Sequence, residues 1–226
     1  MIKASFFLCT LLFFSLFSAC SDQKTIPPKN TDRMNVLIYL QEGVEILDFA
    51  GPVEVFSYAG FEVHTVTADG GAILSQGIVK VLPEYSIETA PQADIICFFG
   101  GNGIASSKNK AVTDWLRRQA PGCQYLFSVC TGAFFMGEAG LLDGQKATTF
   151  HESLEELQER FPACEVLPET RWVDNGKLVT TAGVSAGIDG ALHLVSKIKG
   201  PDAAKEAAFF MEYDRWDPAD GLVVPQ

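Results

Sequence analysis

The chain lacks a basic stripe, a zinc-type spacing of cysteine and histidine, and any internal repeat or low-complexity tract. Lys and Arg number 17 against 28 Asp and Glu, a formal net charge of −11, which argues against nucleic-acid binding by phosphate neutralisation. Histidine is scarce, with His64, His151 and His193 alone, and the six cysteines form no CxxC, so no metal site is expected and no cofactor is implied. The loop Gly100-Gly101-Asn102-Gly103 has no Gly-Lys-Ser/Thr ending, which sets aside a nucleotide phosphate loop. The apolar run Ser5 to Phe17 is too short to cross a bilayer comfortably as a helix.

That run is informative for another reason. Lys3 precedes it and Phe17-Ser18-Ala19-Cys20 ends it with small residues before a cysteine. The segment resembles a bacterial lipoprotein signal with its lipobox. The resemblance implies a signal over residues 1–19, cleavage before Cys20, acylation of that cysteine, and a product held by its lipid at a membrane of the cell envelope, outside the cytoplasm. A plain secretory signal or an uncleaved anchor remains the alternative. Residues 20–33, polar and proline-bearing, read as a tether; 34–216 is the size of one α/β domain; 217–226 reads as a tail. Cys97, Cys123, Cys130 and Cys164 then sit where disulfides form. Cys97, inside Ile95-Ile96-Cys97-Phe98-Phe99, reads as packing, while pairing of Cys123 and Cys164 stays open.

Strand and helix patterns alternate. Asn35–Leu40 is a continuous apolar strand, Pro52–Ala59 a short helix opened by proline and followed by Gly60, and Phe61–Ala68 an alternating strand. Further strands are expected at 78–82, 94–99 and 126–130, and helices at 111–119, 131–140, 185–198 and 203–213. Thr149-Phe150-His151-Glu152 has capping-box form. Asp174-Asn175-Gly176 between Arg171-Trp172-Val173 and Lys177-Leu178-Val179-Thr180 signals a hairpin. Repeated β–α units predict a mainly parallel sheet covered on both faces, with sites at the carboxyl ends of its strands.

Cys130 stands at one such end. Tyr125-Leu126-Phe127 leads into Ser128-Val129-Cys130-Thr131-Gly132-Ala133, an abrupt strand-to-helix corner of nucleophile-elbow type. A helix N-terminus at the sulfur is expected to favour the thiolate; a buried structural cysteine is the alternative. Asp48, among apolar neighbours after the first strand, reads either as a general acid or base with a raised pKa or as a helix cap. The Gly100 loop offers backbone N–H groups to an anion. His151 is a candidate base or substrate contact, and Asn102 and Phe150 join it as candidate pocket residues. His193 reads as a packing-layer histidine, His64 as outward-facing, and Asp189 as a buried helix-bonding group.

Four motifs together carry a family resemblance: Leu47 to Phe56 (LDFAGPVEVF), Phe98 to Gly103 (FFGGNG), Ser128 to Thr149 (SVCTGAFFMGEAGLLDGQKATT) and Thr180 to Val195 (TTAGVSAGIDGALHLV). From Met34 to about Trp216 the chain resembles the ThiJ/PfpI family of the class I glutamine amidotransferase-like superfamily, especially the branch of isonitrile hydratases and AraC-type sensor domains. The resemblance implies a flavodoxin-like three-layer α/β sandwich, usually a homodimer. It also implies Cys130 as nucleophile, Asp48 as its acidic partner, Gly101 and Thr131 as backbone oxyanion donors, and the Thr131 hydroxyl as a group beside the thiol. The implied reaction is hydration of a small-molecule isocyanide to an N-substituted formamide. A ligand or redox sensor, or another hydrolase of the family acting on peptides or aldehydes, is the alternative; no DNA-binding domain is expected after Trp216. Two positions depart from the pattern. Phe99 stands where many relatives have proline, and Phe150 precedes His151 where many have histidine directly. One helical residue turns a side chain by about 100°, which weighs against a catalytic His151.

Overall fold

The structure, a computed structural model, describes residues 33–225; the proposed signal and the acylation site at Cys20 lie outside them. In chain order the elements are β1 (Asn35–Tyr39), α1 (Ile46–Tyr58), β2 (Glu62–Thr67), β3 (Ile73–Ser75), β4 (Val79–Val81), β5 (Tyr85–Ser86), β6 (Ile95–Phe98), α2 (Gly103–Ser106) and α3 (Lys110–Gln119). There follow β7 (Tyr125–Val129), α4 (Ala133–Glu138), β8 (Lys146–Ala147), α5 (Leu154–Arg160), β9 (Glu165–Val166), β10 (Trp172–Asp174), β11 (Leu178–Thr181), α6 (Ala186–Lys199), α7 (Pro201–Phe210) and β12 (Leu222–Val223).

Eight strands form one sheet in the order β12-β10-β11-β7-β6-β1-β2-β5. Every pairing is parallel except the β10–β11 hairpin, so the expected α/β architecture holds. Alternation along β1 divides the core: Val36 and Ile38 point to a layer with Val55, Phe56 and Ile188, while Leu37 and Tyr39 point to one with Trp115, Leu116 and Phe135. Both faces of the sheet are therefore covered by helices, as a central parallel sheet requires.

Three expectations are corrected. Helix α1 begins at Ile46 rather than at Pro52, which lies inside it. Packing against α6 overrides the proline signal: a Cβ on Gly51 would come within 2.6 Å of Ile188, so glycine here lets the two helices approach. The supposed tail contributes β12, paired parallel to β10, with Gly221 against the Trp172 indole. The expected 131–140 helix is shorter, a single 3-10 turn at Cys130–Gly132 followed by α4, and closes near Gly140 at φ +75°. Cys97, Cys123, Cys130 and Cys164 are all free and buried.

Candidate active site

The ends of β1, β6, β7 and β11 converge on Cys130. Four apolar or small residues bring β7 into the sheet between β6 and β11, and the chain then reverses at Cys130 with φ +58°, a conformation an L-residue adopts only when its surroundings impose it. Those surroundings are visible in the hydrogen bonds. The Cys130 N–H donates to the Ala182 carbonyl at 3.1 Å, and the Cys130 carbonyl accepts the Thr149 hydroxyl at 2.7 Å. Thr149 is thus no helix cap, and the expected capping box is absent: a 3-10 turn at His151–Ser153 precedes α5 without a side-chain cap. The hydroxyl is committed to the elbow instead. Gly132 permits the turn sterically, since a Cβ there would lie 2.3 Å from the Phe98 carbonyl oxygen.

Asp48 sits in the first turn of α1 and is wholly buried. Its carboxyl does not cap the helix. Oδ2 accepts the Gly100 N–H at 2.8 Å and Oδ1 accepts the Val184 N–H at 3.0 Å, and the Cys130 thiol lies beside the same group across Gly100. Val184 holds φ +53°, unusual for a β-branched residue, and this conformation turns its N–H onto Asp48. The backbone N–H groups of Thr131 and Gly101 face the sulfur. Gly100 fits between thiol and carboxyl with no room for a side chain: a Cβ would stand 2.5 Å from Sγ and 2.8 Å from Oδ2.

Burial lifts the Asp48 carboxyl from 3.8 to about 6, against the lowering effect of the two N–H donors. The thiol moves the same way. Burial first and the Asp48 charge second push Cys130 from 9.0 to about 12, outweighing the N–H groups of Thr131 and Gly101. The expectation of a thiol that loses its proton readily is therefore corrected. A residue 6% exposed beside a carboxylate feels desolvation and repulsion more strongly than one short turn of helix.

The remaining candidates separate. Gly101, at φ +77°, is bridged to Val44, and a Cβ there would lie 2.3 Å from the Gly43 carbonyl oxygen. The Thr131 hydroxyl is buried below Gly103, with no partner among the described residues. Phe150 is half-buried and reaches the cysteine: a Cβ on Gly183 would meet both its Cδ2 (2.5 Å) and Cys130 Sγ (3.5 Å). His151 points outward, with a side chain 76% exposed and Glu152 its nearest charge at 3.8 Å, so it does not serve the thiol as a base. It borders a cavity of about 240 Å³ whose walls also include Thr149, Arg171 and Ala182. Asn102 is exposed, and neither it nor Phe150 lines that cavity. Away from the site, His64 bonds Glu84, and His193 stacks on Trp172 while bonding Asp174. Asp189 pairs with Arg171 and accepts the Tyr213 hydroxyl, a buried junction as expected.

One residue escaped the sequence reading. Gln41, buried at the end of β1, donates Nε2 to the carbonyls of Phe99 (2.9 Å) and Gly100 (2.8 Å) and so clamps the loop that faces the sulfur. A polar residue closing an apolar strand was the only signal available.

Residues 34–197 match the family model described as DJ-1/PfpI family. The chain is 36% identical over 179 residues to isonitrile hydratase from Pseudomonas putida, covering 78% of this chain and 77% of that protein. It is 26% identical to the HTH-type transcriptional regulator GbdR from Pseudomonas aeruginosa, over 84% of this chain but 53% of the regulator, about half its length. Among solved structures, a ThiJ/PfpI family protein from Pseudomonas syringae superposes with a TM-score of 0.76 at 23% identity, covering 87% of this chain and 85% of that one. DJ-1beta from Drosophila melanogaster gives 0.71 at 22% identity, over 80% and 98%. These two likenesses concern the fold.

Proposed function

The chain belongs to the DJ-1/PfpI family, and from that premise we propose that it is a cysteine-dependent enzyme hydrating a small isocyanide to an N-substituted formamide. The observation that supports this most directly is the buried Asp48 carboxyl, oriented by two backbone N–H groups and set beside the Cys130 thiol. Similarity to isonitrile hydratase supports the choice of substrate.

The sulfur bonds to the terminal isocyanide carbon while its proton passes through Asp48 to that same carbon, giving R–N=CH–S–Cys130. Water then adds to this carbon and a proton goes to nitrogen. Collapse breaks the C–S bond, returns a proton to the thiol and releases R–NH–CHO, so one water is consumed and no redox change occurs. A carboxyl with a pKa near 6 is suited to accept and return a proton at neutral pH. The Gly101 and Thr131 N–H groups, facing the sulfur, stabilise charge that develops as water adds. The test is formamide release from an alkyl isocyanide by wild type, Cys130→Ala and Asp48→Asn: turnover in wild type and loss in both variants is expected. Absence of turnover in wild type removes the proposal.

The depth of the thiol favours a second reading as a ligand or redox sensor, to which similarity to part of a transcriptional regulator lends support. Saturable ligand binding without turnover separates that reading from the first. We further propose attachment to the cell envelope through Cys20, on the sequence signals around Lys3 and Phe17-Ser18-Ala19-Cys20.

A further inference from the structure

Much of what surrounds the sulfur is fixed backbone. Gly100 and Gly101 have no room for a side chain, their Cβ positions falling 2.5 Å from Sγ and 2.3 Å from the Gly43 carbonyl oxygen. The Asp48 carboxyl is committed to two backbone N–H groups. Phe150 is different. Its Cδ2 and the Cys130 Sγ lie 2.5 Å and 3.5 Å from one point, the place a Cβ on Gly183 would take, so ring and sulfur flank the same small gap. A glycine at 183 is what leaves the ring its space.

The chain on either side of Phe150 sets where the ring stands. Thr149 is tied through its hydroxyl to the Cys130 carbonyl at 2.7 Å, and the Phe150 carbonyl accepts the Ser153 N–H at 2.8 Å. The His151 imidazole tilts against the phenyl ring, with centroids 4.3 Å apart and planes at 56°. Half-buried against the core, the ring still meets solvent. It takes up no proton. What it contributes beside the thiol is shape and apolar surface.

An electrophile that bonds Sγ carries its substituent only a few bonds from the sulfur. An apolar substituent laid over the Thr131 and Gly101 N–H groups or the Asp48 carboxyl would bury polar groups without compensation, whereas the Phe150 ring loses nothing by being covered. A flat group can lie offset or edge-on against that ring. A group branched at its attachment carbon instead drives methyls into a ring confined by Gly183 and His151. We propose that Phe150 is the specificity-determining residue of this site, admitting to Cys130 electrophiles with a flat, unbranched apolar substituent and rejecting those branched at the attachment carbon. Extended to turnover, this rests on the isocyanide reading above and makes benzyl isocyanide a better substrate than tert-butyl isocyanide; the wall itself rests on the geometry alone.

The deciding experiment is alkylation of Cys130 in the full chain at pH 9 by N-benzyl- and N-tert-butyl-iodoacetamide, read by mass mapping. Each rate is divided by that of N-acetylcysteine with the same reagent. Wild type should favour the benzyl reagent about tenfold or more, the scale on which a pocket discriminates by a few carbons. Phe150→Ala should bring the ratio near one, and Phe150→Tyr, which keeps the ring, should preserve it. Both rates come from the same sample, so a variant's folded fraction cancels. Equal normalised rates in wild type, or a ratio unchanged in Phe150→Ala, overturns the proposal. Formamide release from the two isocyanides then separates the two readings: selective alkylation without turnover removes isocyanide hydration and leaves the wall standing, and turnover without selective alkylation does the reverse.

Discussion

Replacing Asp48 with asparagine separates the stability cost of the buried carboxyl from its chemical use. In the folded protein its pKa stands near 6 rather than 3.8. A raised acid binds more protons folded than unfolded, so it lowers stability as pH rises from about 4 through 6, and the loss is complete above that range. At 1.36 kcal/mol per unit the full penalty is about 3 kcal/mol, with roughly half of it already present at pH 5. Asparagine carries no such penalty at any pH. It also turns an NH2 toward one of two backbone donors, Gly100 N–H or Val184 N–H, an unpaired buried contact costing about 1–3 kcal/mol. Urea unfolding followed by tryptophan fluorescence should therefore find Asp48→Asn comparatively worst near pH 5. Between pH 5 and pH 8 the balance should move in its favour by about 1.4 kcal/mol. Formamide release by the same samples should fall about 10²–10⁴-fold. A stability difference independent of pH would refute the raised carboxyl, and undiminished turnover would reduce Asp48 to a structural residue.

Other consequences are equally open to measurement. For wild type, kcat/KM on an isocyanide should rise from pH 5 through about 6 and then stay level to pH 9, because the pair works with one shared proton and below 6 it carries two; a profile falling across this range contradicts the mechanism. Iodoacetamide at pH 9 should label Cys130 faster in Asp48→Asn than in wild type, since the carboxylate charge helps to hold the thiol up, and mass mapping would show it. Gly183→Ala should cut turnover at least tenfold, its methyl displacing Phe150 against the sulfur, and Phe150→Leu should restore part of it; loss of folding without kinetic change would place the effect elsewhere. Thr149→Val should cost about 1–2 kcal/mol in urea unfolding by leaving the buried Cys130 carbonyl unpaired, and an unchanged midpoint would mean that the elbow stands without it.

The elbow was legible in the sequence because everything that makes it is local: an apolar strand, a cysteine, then small residues. The hairpin at Asp174-Asn175-Gly176 was legible for the same reason. Asp48 could be singled out but not assigned, since cap and acid ask the same residue type at the same place. What decides between them is the Gly100 and Val184 N–H groups, 52 and 136 residues away in the chain, and backbone donors leave no mark in composition. Thr149 misled because its hydroxyl had two credible partners, a local backbone N–H to accept from as a cap and the distant Cys130 carbonyl to donate to, and the carbonyl won. The direction of the thiol shift was misread for a related reason. Proximity to a helix start is a local property, whereas burial to 6% and the nearness of a carboxylate belong to the assembled fold.

A protonated, buried thiol is compatible with nucleophilic work when its proton has somewhere to go. In its folded setting Cys130, at about 12, presents almost no thiolate to solvent at neutral pH, and Asp48, at about 6, is mostly ionised. Their proximity changes the relevant event from loss of a proton to solvent into transfer between neighbouring groups. Once the proton is on the carboxyl, the Asp48 charge that opposed ionisation of the sulfur is gone, and the Thr131 and Gly101 N–H groups act against burial alone. The acid so formed is already beside the bound carbon, where the proposed reaction consumes it. This arrangement also explains why the thiol should be guarded rather than reactive in the resting protein. A sulfur that ionises only with its partner is spared oxidation and alkylation until a substrate takes up the shared proton.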